Sequence, residues 1–259
     1  MGNYKSLADN CATSVVARFI GLKRHFRVKS DIRDFNLQRI GLFGGTFNPI
    51  HTGHLRIAAE IKEHFSLDGI IFIPTGIPPH KGDSEVIDPA HRLHMAELAV
   101  APHKDFSVSP VEAERKDFSY SIDTVKAFQK ELSGTAELYF ILGIDAFLEI
   151  KTWKDTDELL TLCHFIVIPR PGYRFSDLKS LDMPPLNRLE STELDKLDKG
   201  EITRLSMKLT GRYHLFLERI TPCDISSTGL RVLIKEGREV KNLLPESVLL
   251  YIIEKRLYH

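Results

Sequence analysis

Two histidines three residues apart, His51 and His54, stand near the end of the stretch RIGLFGGTFNPIHTGHLRI at residues 39–57. An apolar run and the pair Gly44–Gly45 precede them. An amphipathic stretch follows, in which His54, Ile57, Ala58, Ile61 and Phe65 fall on one helical stripe. Glycines after a strand let the backbone turn with positive φ, and their missing side chains let a phosphate approach the main chain closely. A helix starting near Gly53 would aim its free N–H groups and positive dipole end at the same place. Imidazole N–H groups add side-chain donors, neutral or cationic. The chemistry these residue types serve is anion binding at a strand end, suited to a polyphosphate. The pattern is neither a P-loop nor a dinucleotide fingerprint, because it lacks Gly-Lys-Ser/Thr and the Gly-x-Gly-x-x-Gly spacing. Taken alone, His54 reads as a core imidazole. A zinc pair would need a third nearby ligand of the His-Glu-x-x-His kind, which is not there.

A second string, DISSTGLRVLIKEG at 224–237, carries Ser226, Ser227 and Thr228 just before another apolar-periodic stretch. On their own these are an ordinary N-cap cluster. If Thr228 caps the helix, its third position is Arg231 rather than a capping-box glutamate. A cation at the positive helix end is unfavourable unless an anion binds between them, so a second phosphate site is expected here.

Such sites need a frame. Short apolar runs at 39–43, 69–74, 106–109, 137–143, 164–170 and 214–220 read as strands. Helical periodicity occupies 53–65, 89–100, 121–132, 155–161, 228–236 and 245–256. Strand–helix alternation with strands apolar on both sides predicts an α/β fold, a doubly wound parallel sheet with helices on both faces. Ligands in such sheets sit at the carboxyl ends of the strands, where the strand order reverses. Residues 39–259 are expected to form this domain, with 174–212 as a surface insertion and 1–38 as an N-terminal extension, flexible and outside it.

The 259 residues are 42% hydrophobic and 27% charged, which supports a sizeable core. Net formal charge is zero, although residues 1–38 carry +4 and the remainder −4. No single-sign field argues for nucleic acid, and no apolar run reaches the length of a membrane span. Cys11, Cys163 and Cys223 show neither metal-ligand spacing nor a disulfide framework, so a cytoplasmic setting is expected.

The strings GGTFNPIHTGHL and ISSTGLR together resemble the paired signatures of the nucleotidyltransferase superfamily. PTGIPPHK (74–81), RLHMAELA (92–99), FSYSIDTV (118–125), FILGIDAFLEIKTW (140–153), IPRPGY (168–173) and LLPESVLLYI (243–252) are similar, in order, to bacterial nicotinate-nucleotide adenylyltransferases. The resemblance covers about residues 39–257 and implies the Rossmann-like fold of that superfamily. It implies transfer of AMP from ATP to nicotinate mononucleotide, giving deamido-NAD and pyrophosphate. Alternatives are an enzyme that also accepts nicotinamide mononucleotide and a catalytically silent nucleotide-binding regulator. The resemblance puts Gly44, Thr46, Phe47, His51 and His54 around the phosphates, with Ser227, Thr228 and Arg231 on the other side; His51, His54 and Arg231 would be catalytic. It puts Trp153 against the pyridine ring, Tyr120 and Ser121 at the nicotinate carboxylate, and Asp145 on a ribose hydroxyl. His80, Lys81 and Arg170 would contact substrate phosphate or ribose. Mg²⁺ is expected mainly on ATP phosphates, with no protein ligand named. The sequence leaves open whether the chain forms a homo-oligomer.

Overall fold

The computed structural model describes residues 37–76, 86–132 and 134–259. Seven strands form one sheet: β1 (Gln38–Gly45), β2 (Gly69–Pro74), β3 (Phe106–Val108), β4 (Ala136–Gly143), β5 (His164–Ile168), β6 (Arg204–Lys208) and β7 (His214–Glu218). Their order is β3-β2-β1-β4-β5-β7-β6. All pairings are parallel except β6 with β7. The chain runs outward from β1 through β2 to β3, then returns to lay β4 on the other side of β1. The strand order therefore reverses between β1 and β4, and a crevice opens at their carboxyl ends.

Alternation along the strands feeds two cores. Ile40 and Leu42 of β1, and Leu138, Phe140 and Leu142 of β4, face one side. Phe43 of β1 and Tyr139 and Ile141 of β4 face the other. The first face is covered by α3 (Ser121–Leu132) through Ile122, Val125 and Phe128, and by the short α4 (Ile144–Leu148) and α5 (Thr156–Leu159). The second is covered by α1 (Thr52–His64), α2 (Pro89–Val100), α7 (Ser227–Lys235) and α8 (Glu246–Lys255). Each fully buried Ile, Leu or Phe in these layers contributes about 1.5–3 kcal/mol. In α1 the expected stripe is the one that buries: His54, Ile57, Ala58 and Ile61, with Phe65 just beyond the helix end.

The stretch 174–212 is more than a surface insertion. It forms two 3₁₀ turns, α6 (Ser191–Lys199) and the edge strand β6. Phe175, Leu178, Leu186, Leu194 and Leu197 are buried against the first face of the sheet. Asp198 fastens it by accepting the Phe175 and Ser176 backbone N–H groups at 2.7 and 3.1 Å. β6 escaped the strand reading because Arg204, Ser206 and Lys208 interrupt its apolar positions, as an edge strand permits. The extension 1–38 lies almost wholly outside the described residues.

Candidate active site

β1 ends in Gly44 and Gly45, and neither takes the expected positive φ; the left-handed residue of this loop is Phe47, at φ 47°. The glycines supply space instead. A Cβ on Gly45 would lie 2.9 Å from the Phe47 ring. That ring is buried and stands edge-on to the His54 imidazole, with centroids 5.0 Å apart. Phe47 thus braces a histidine from below and does not line either cavity described here.

His51 is the N-cap of α1 and His54 lies in its first turn. The rings stack with centroids 3.6 Å apart. His54 Nδ1 accepts the His51 backbone N–H at 3.2 Å. An accepting Nδ1 places the proton of a neutral ring on Nε2, so His54 keeps a donor for another group. Both ring nitrogens of His51 are buried without a hydrogen-bond partner. Burial lowers the His51 pKa to about 3, with Arg170 adding to the effect. Burial, then His51 and Arg170, hold His54 well below the usual imidazole range. The pair is therefore neutral, and it donates through N–H groups without a formal charge. The glycine between the histidines has a steric reason. A Cβ on Gly53 would lie 2.6 Å from Cys223 Sγ and 2.9 Å from His51 Nδ1.

The helix of the second string is capped two residues earlier than expected. Ser226, not Thr228, caps α7, its hydroxyl accepting the Gly229 N–H at 3.0 Å. Arg231 is consequently one turn into the helix, where the dipole conflict is weaker. It reaches the loop between β1 and α1 instead. Arg231 Nη1 donates to the Asn48 carbonyl at 3.0 Å, with Nη2 3.5 Å from Thr228 Oγ1. Ser227 Oγ donates to the Pro49 carbonyl at 2.9 Å. The two strings are thereby joined through the Asn48–Pro49 segment, by links that span 178 and 183 residues.

Two cavities are lined in part by other residues of these strings. One, of about 270 Å³, is lined by Gly44, Thr46, Tyr120, Ser121, Asp145, Trp153 and Arg170, among others. Trp153 is half-buried and meets Phe140 edge-on, so it belongs to a cavity wall and not to the deep core. The other, of about 500 Å³, contains His51, Ile225, Cys223 and again Arg170. Arg170 thus stands in both walls. Its Nε is 3.7 Å from Asp145 Oδ1, too long for a hydrogen bond, and both atoms are buried without one. Gly143 makes room for them. A Cβ there would run into Asp145 Oδ1 and lie 2.6 Å from Arg170 Nε.

Of the expected site residues, Gly44, Thr46, Tyr120, Ser121, Asp145, Trp153 and Arg170 share one cavity and His51 lines the other. His54, Ser227, Thr228 and Arg231 line neither cavity, although all belong to the two linked strings. His80 and Lys81 fall outside the described residues.

Three supporting residues were given no role from sequence. Arg92 is fully buried and donates to the carbonyls of Thr46, Gly76 and Ile87 at 2.8, 3.1 and 3.0 Å. Its place in RLHMAELA was visible, but its targets are main-chain atoms that carry no sequence signal. Tyr258, at the far end of the chain, donates its hydroxyl to Asn48 Oδ1 at 2.8 Å. Glu112 is a buried carboxyl in the smaller cavity, its pKa raised by burial and partly restored by the Thr124 hydroxyl at 2.7 Å.

A cytidylyltransferase-like family model matches residues 42–232. A Moorella thermoacetica protein named “Probable nicotinate-nucleotide adenylyltransferase” is 42% identical over 220 residues, spanning 85% of this chain and 91% of its own length. One of the same name from Desulfitobacterium hafniense (strain Y51) is 43% identical over 222 residues, spanning 85% and 96%. The chain belongs to the nicotinate-nucleotide adenylyltransferase family. The fold agrees with this placement. A solved Plasmodium falciparum nicotinic acid mononucleotide adenylyltransferase, complexed with NaAD, aligns with a TM-score of 0.61 at 21% identity, covering 85% of this chain and 97% of that one. The match to the family model, residues 42–232, spans GGTFNPIHTGH and ISSTGLR.

Proposed function

We propose that the protein transfers the adenylyl group of ATP to nicotinate mononucleotide, giving nicotinate adenine dinucleotide (deamido-NAD) and pyrophosphate in NAD biosynthesis. Family membership supports the reaction. The geometric observation that carries it is a pair of cavities meeting at Arg170: the smaller lies over the carboxyl ends of β1 and β4, and the larger is lined by His51, which stacks on His54. A dinucleotide product has two nucleoside halves joined at phosphates, and this arrangement has two compartments joined at phosphate donors.

In this reading the nicotinate ring lies against Trp153, with its carboxylate near Ser121 at the N-terminus of α3. Asp145 accepts from a ribose hydroxyl. ATP places its adenosine in the larger cavity and its phosphates toward His51, His54 and the Ser227–Arg231 turn. The mononucleotide phosphate attacks the α-phosphorus of ATP in line. A new P–O bond forms, the bond to the β-phosphate oxygen breaks, and the pair of electrons leaves on pyrophosphate. The attacking oxygen is already ionised, so no general base is required. The protein's part is positioning and donation of hydrogen bonds to the spreading charge. Neutral imidazoles suit that part, because they stabilise phosphate oxygens without protonating the nucleophile.

The described residues hold no group of three or more His, Cys, Asp or Glu side chains able to bind a metal. Mg²⁺ is assigned in this reading to the ATP substrate, where it would neutralise phosphate charge. The test is pyrophosphate release with ATP and Mg²⁺, run side by side with nicotinate mononucleotide and nicotinamide mononucleotide. Release with the acid supports the reading. Release with the amide at equal efficiency overturns the pyridine assignment, and none with either overturns the activity.

A further inference from the structure

The smaller cavity carries a second charged feature that family resemblance does not assign. Lys154, the residue after Trp153, lines this cavity together with Tyr120 and Ser121. Its ammonium lies 4.8 Å from the centroid of the Tyr120 ring. It is also 3.3 Å from Asp123 Oδ2. Asp123 belongs to the first turn of α3, the turn that begins with Ser121. Both side chains are about two-fifths exposed, at 42% and 41%. The other cation lining this cavity, Arg170, sits just past the end of β5, beside Asp145. The cavity also contains Glu112 and Glu149. Without Lys154 the end of the cavity at α3 would rely on the helix N-terminus alone to offset these carboxylates.

We propose that the Lys154–Asp123 pair sets the preference for a pyridine carboxylate over a pyridine carboxamide. This inference rests on the reading that the pyridine ring enters the Trp153 cavity. Lys154 is held by a cation–π contact and an exposed ion pair, both weak enough to share with an incoming anion. A carboxylate near Ser121 gains from the ammonium; a neutral amide gains little. Asp123 works against this gain, because it already neutralises part of the lysine charge. The two members of one ion pair therefore push substrate choice in opposite directions. A merely structural bridge would not do so, since breaking it from either side would have the same effect.

The experiment compares kcat/KM for nicotinate mononucleotide and nicotinamide mononucleotide, at saturating ATP, in the wild type, Lys154→Met, Lys154→Arg and Asp123→Asn. Lys154→Met is expected to lower the acid-to-amide ratio about three- to tenfold, the scale of one partly exposed charge contact. The fall should lie in the acid arm, with the KM for ATP unchanged. Lys154→Arg should recover most of the ratio, and Asp123→Asn should raise it. A ratio unmoved by Lys154→Met, or moved in the same direction by both members of the pair, overturns the proposal. Failure of the parent reading looks different: the wild type itself would release no pyrophosphate with either mononucleotide, and the Lys154 assignment would fall with it.

Discussion

Replacing His51 by glutamine tests the electrostatics of the site through stability. The His51 pKa is lowered to about 3 in the folded protein, against about 6.5 in an unfolded chain. Between these values His51 is the neutral imidazole in the native state, whereas in the unfolded state it binds one further proton. Stability therefore rises with pH across this window and levels off above the unfolded pKa. Each pH unit inside it is worth about 1.4 kcal/mol per proton. Acidifying from pH 6.5 to 4.5 should thus cost the wild type about 2–3 kcal/mol through His51, an order-of-magnitude figure. His54 acts in the same direction. His51→Gln cannot take up that proton, so its stability should depend less steeply on pH. Urea unfolding at several pH values between 4.5 and 7.5 measures the slope for both proteins. The mutant should gain about 2–3 kcal/mol relative to the wild type at the acid end. Parallel curves would show that His51 titrates alike in both states, and the picture of neutral buried donors would be wrong.

Three further outcomes follow from the geometry. His54→Ala should lower turnover by about 10²–10³, the loss associated with one transition-state donor, while a circular-dichroism melt stays near that of the wild type; a folded mutant with normal turnover would remove His54 from the chemistry. Gly143→Ala places a methyl group against Asp145 and Arg170 at a backbone φ of −73° that alanine adopts without strain. Its thermal midpoint should hold while the KM for the mononucleotide rises, and an unchanged KM would dissociate that side-chain pair from substrate binding. Tyr258→Phe deletes the hydroxyl that donates to Asn48 Oδ1 at 2.8 Å. Losing one such buried bond should cost about 1–2 kcal/mol in urea unfolding and weaken ATP use, because Asn48 also receives Arg231. Stability identical to the wild type would refute the link.

Much of the frame was legible because its signals are local. The strand at 69–74 and the helices at 89–100 and 121–132 have the ends that periodicity predicts, since burial on both faces of a parallel sheet leaves few polar interruptions. The pairing of His51 with His54 was legible for the same reason: three residues along one helix are neighbours whatever the rest of the chain does. The reason for Gly53 between them was not, because Cys223 approaches from another part of the chain. The α7 cap was misplaced because three successive hydroxyl residues offer equivalent capping groups, and only the backbone conformation selects Ser226. The stretch 174–212 was underrated because Phe175, Leu178, Leu194 and Leu197 are separated by charged residues, and a core formed from short turns has no long period to detect.

By itself, then, the sequence determined the order of strands and helices, the two phosphate-type strings and the family they resemble, all properties of residues near one another in the chain. Tertiary structure alone decided that Arg231 reaches Asn48, that Tyr258 braces it from the last turn of the chain, and that Arg92 holds Thr46 by its carbonyl. It also decided that two cavities meet at Arg170 and that Lys154 stands over Tyr120 beside Asp123. These contacts join backbone carbonyls and side chains from distant segments, and their energies depend on distance in space, which residue type and spacing do not encode.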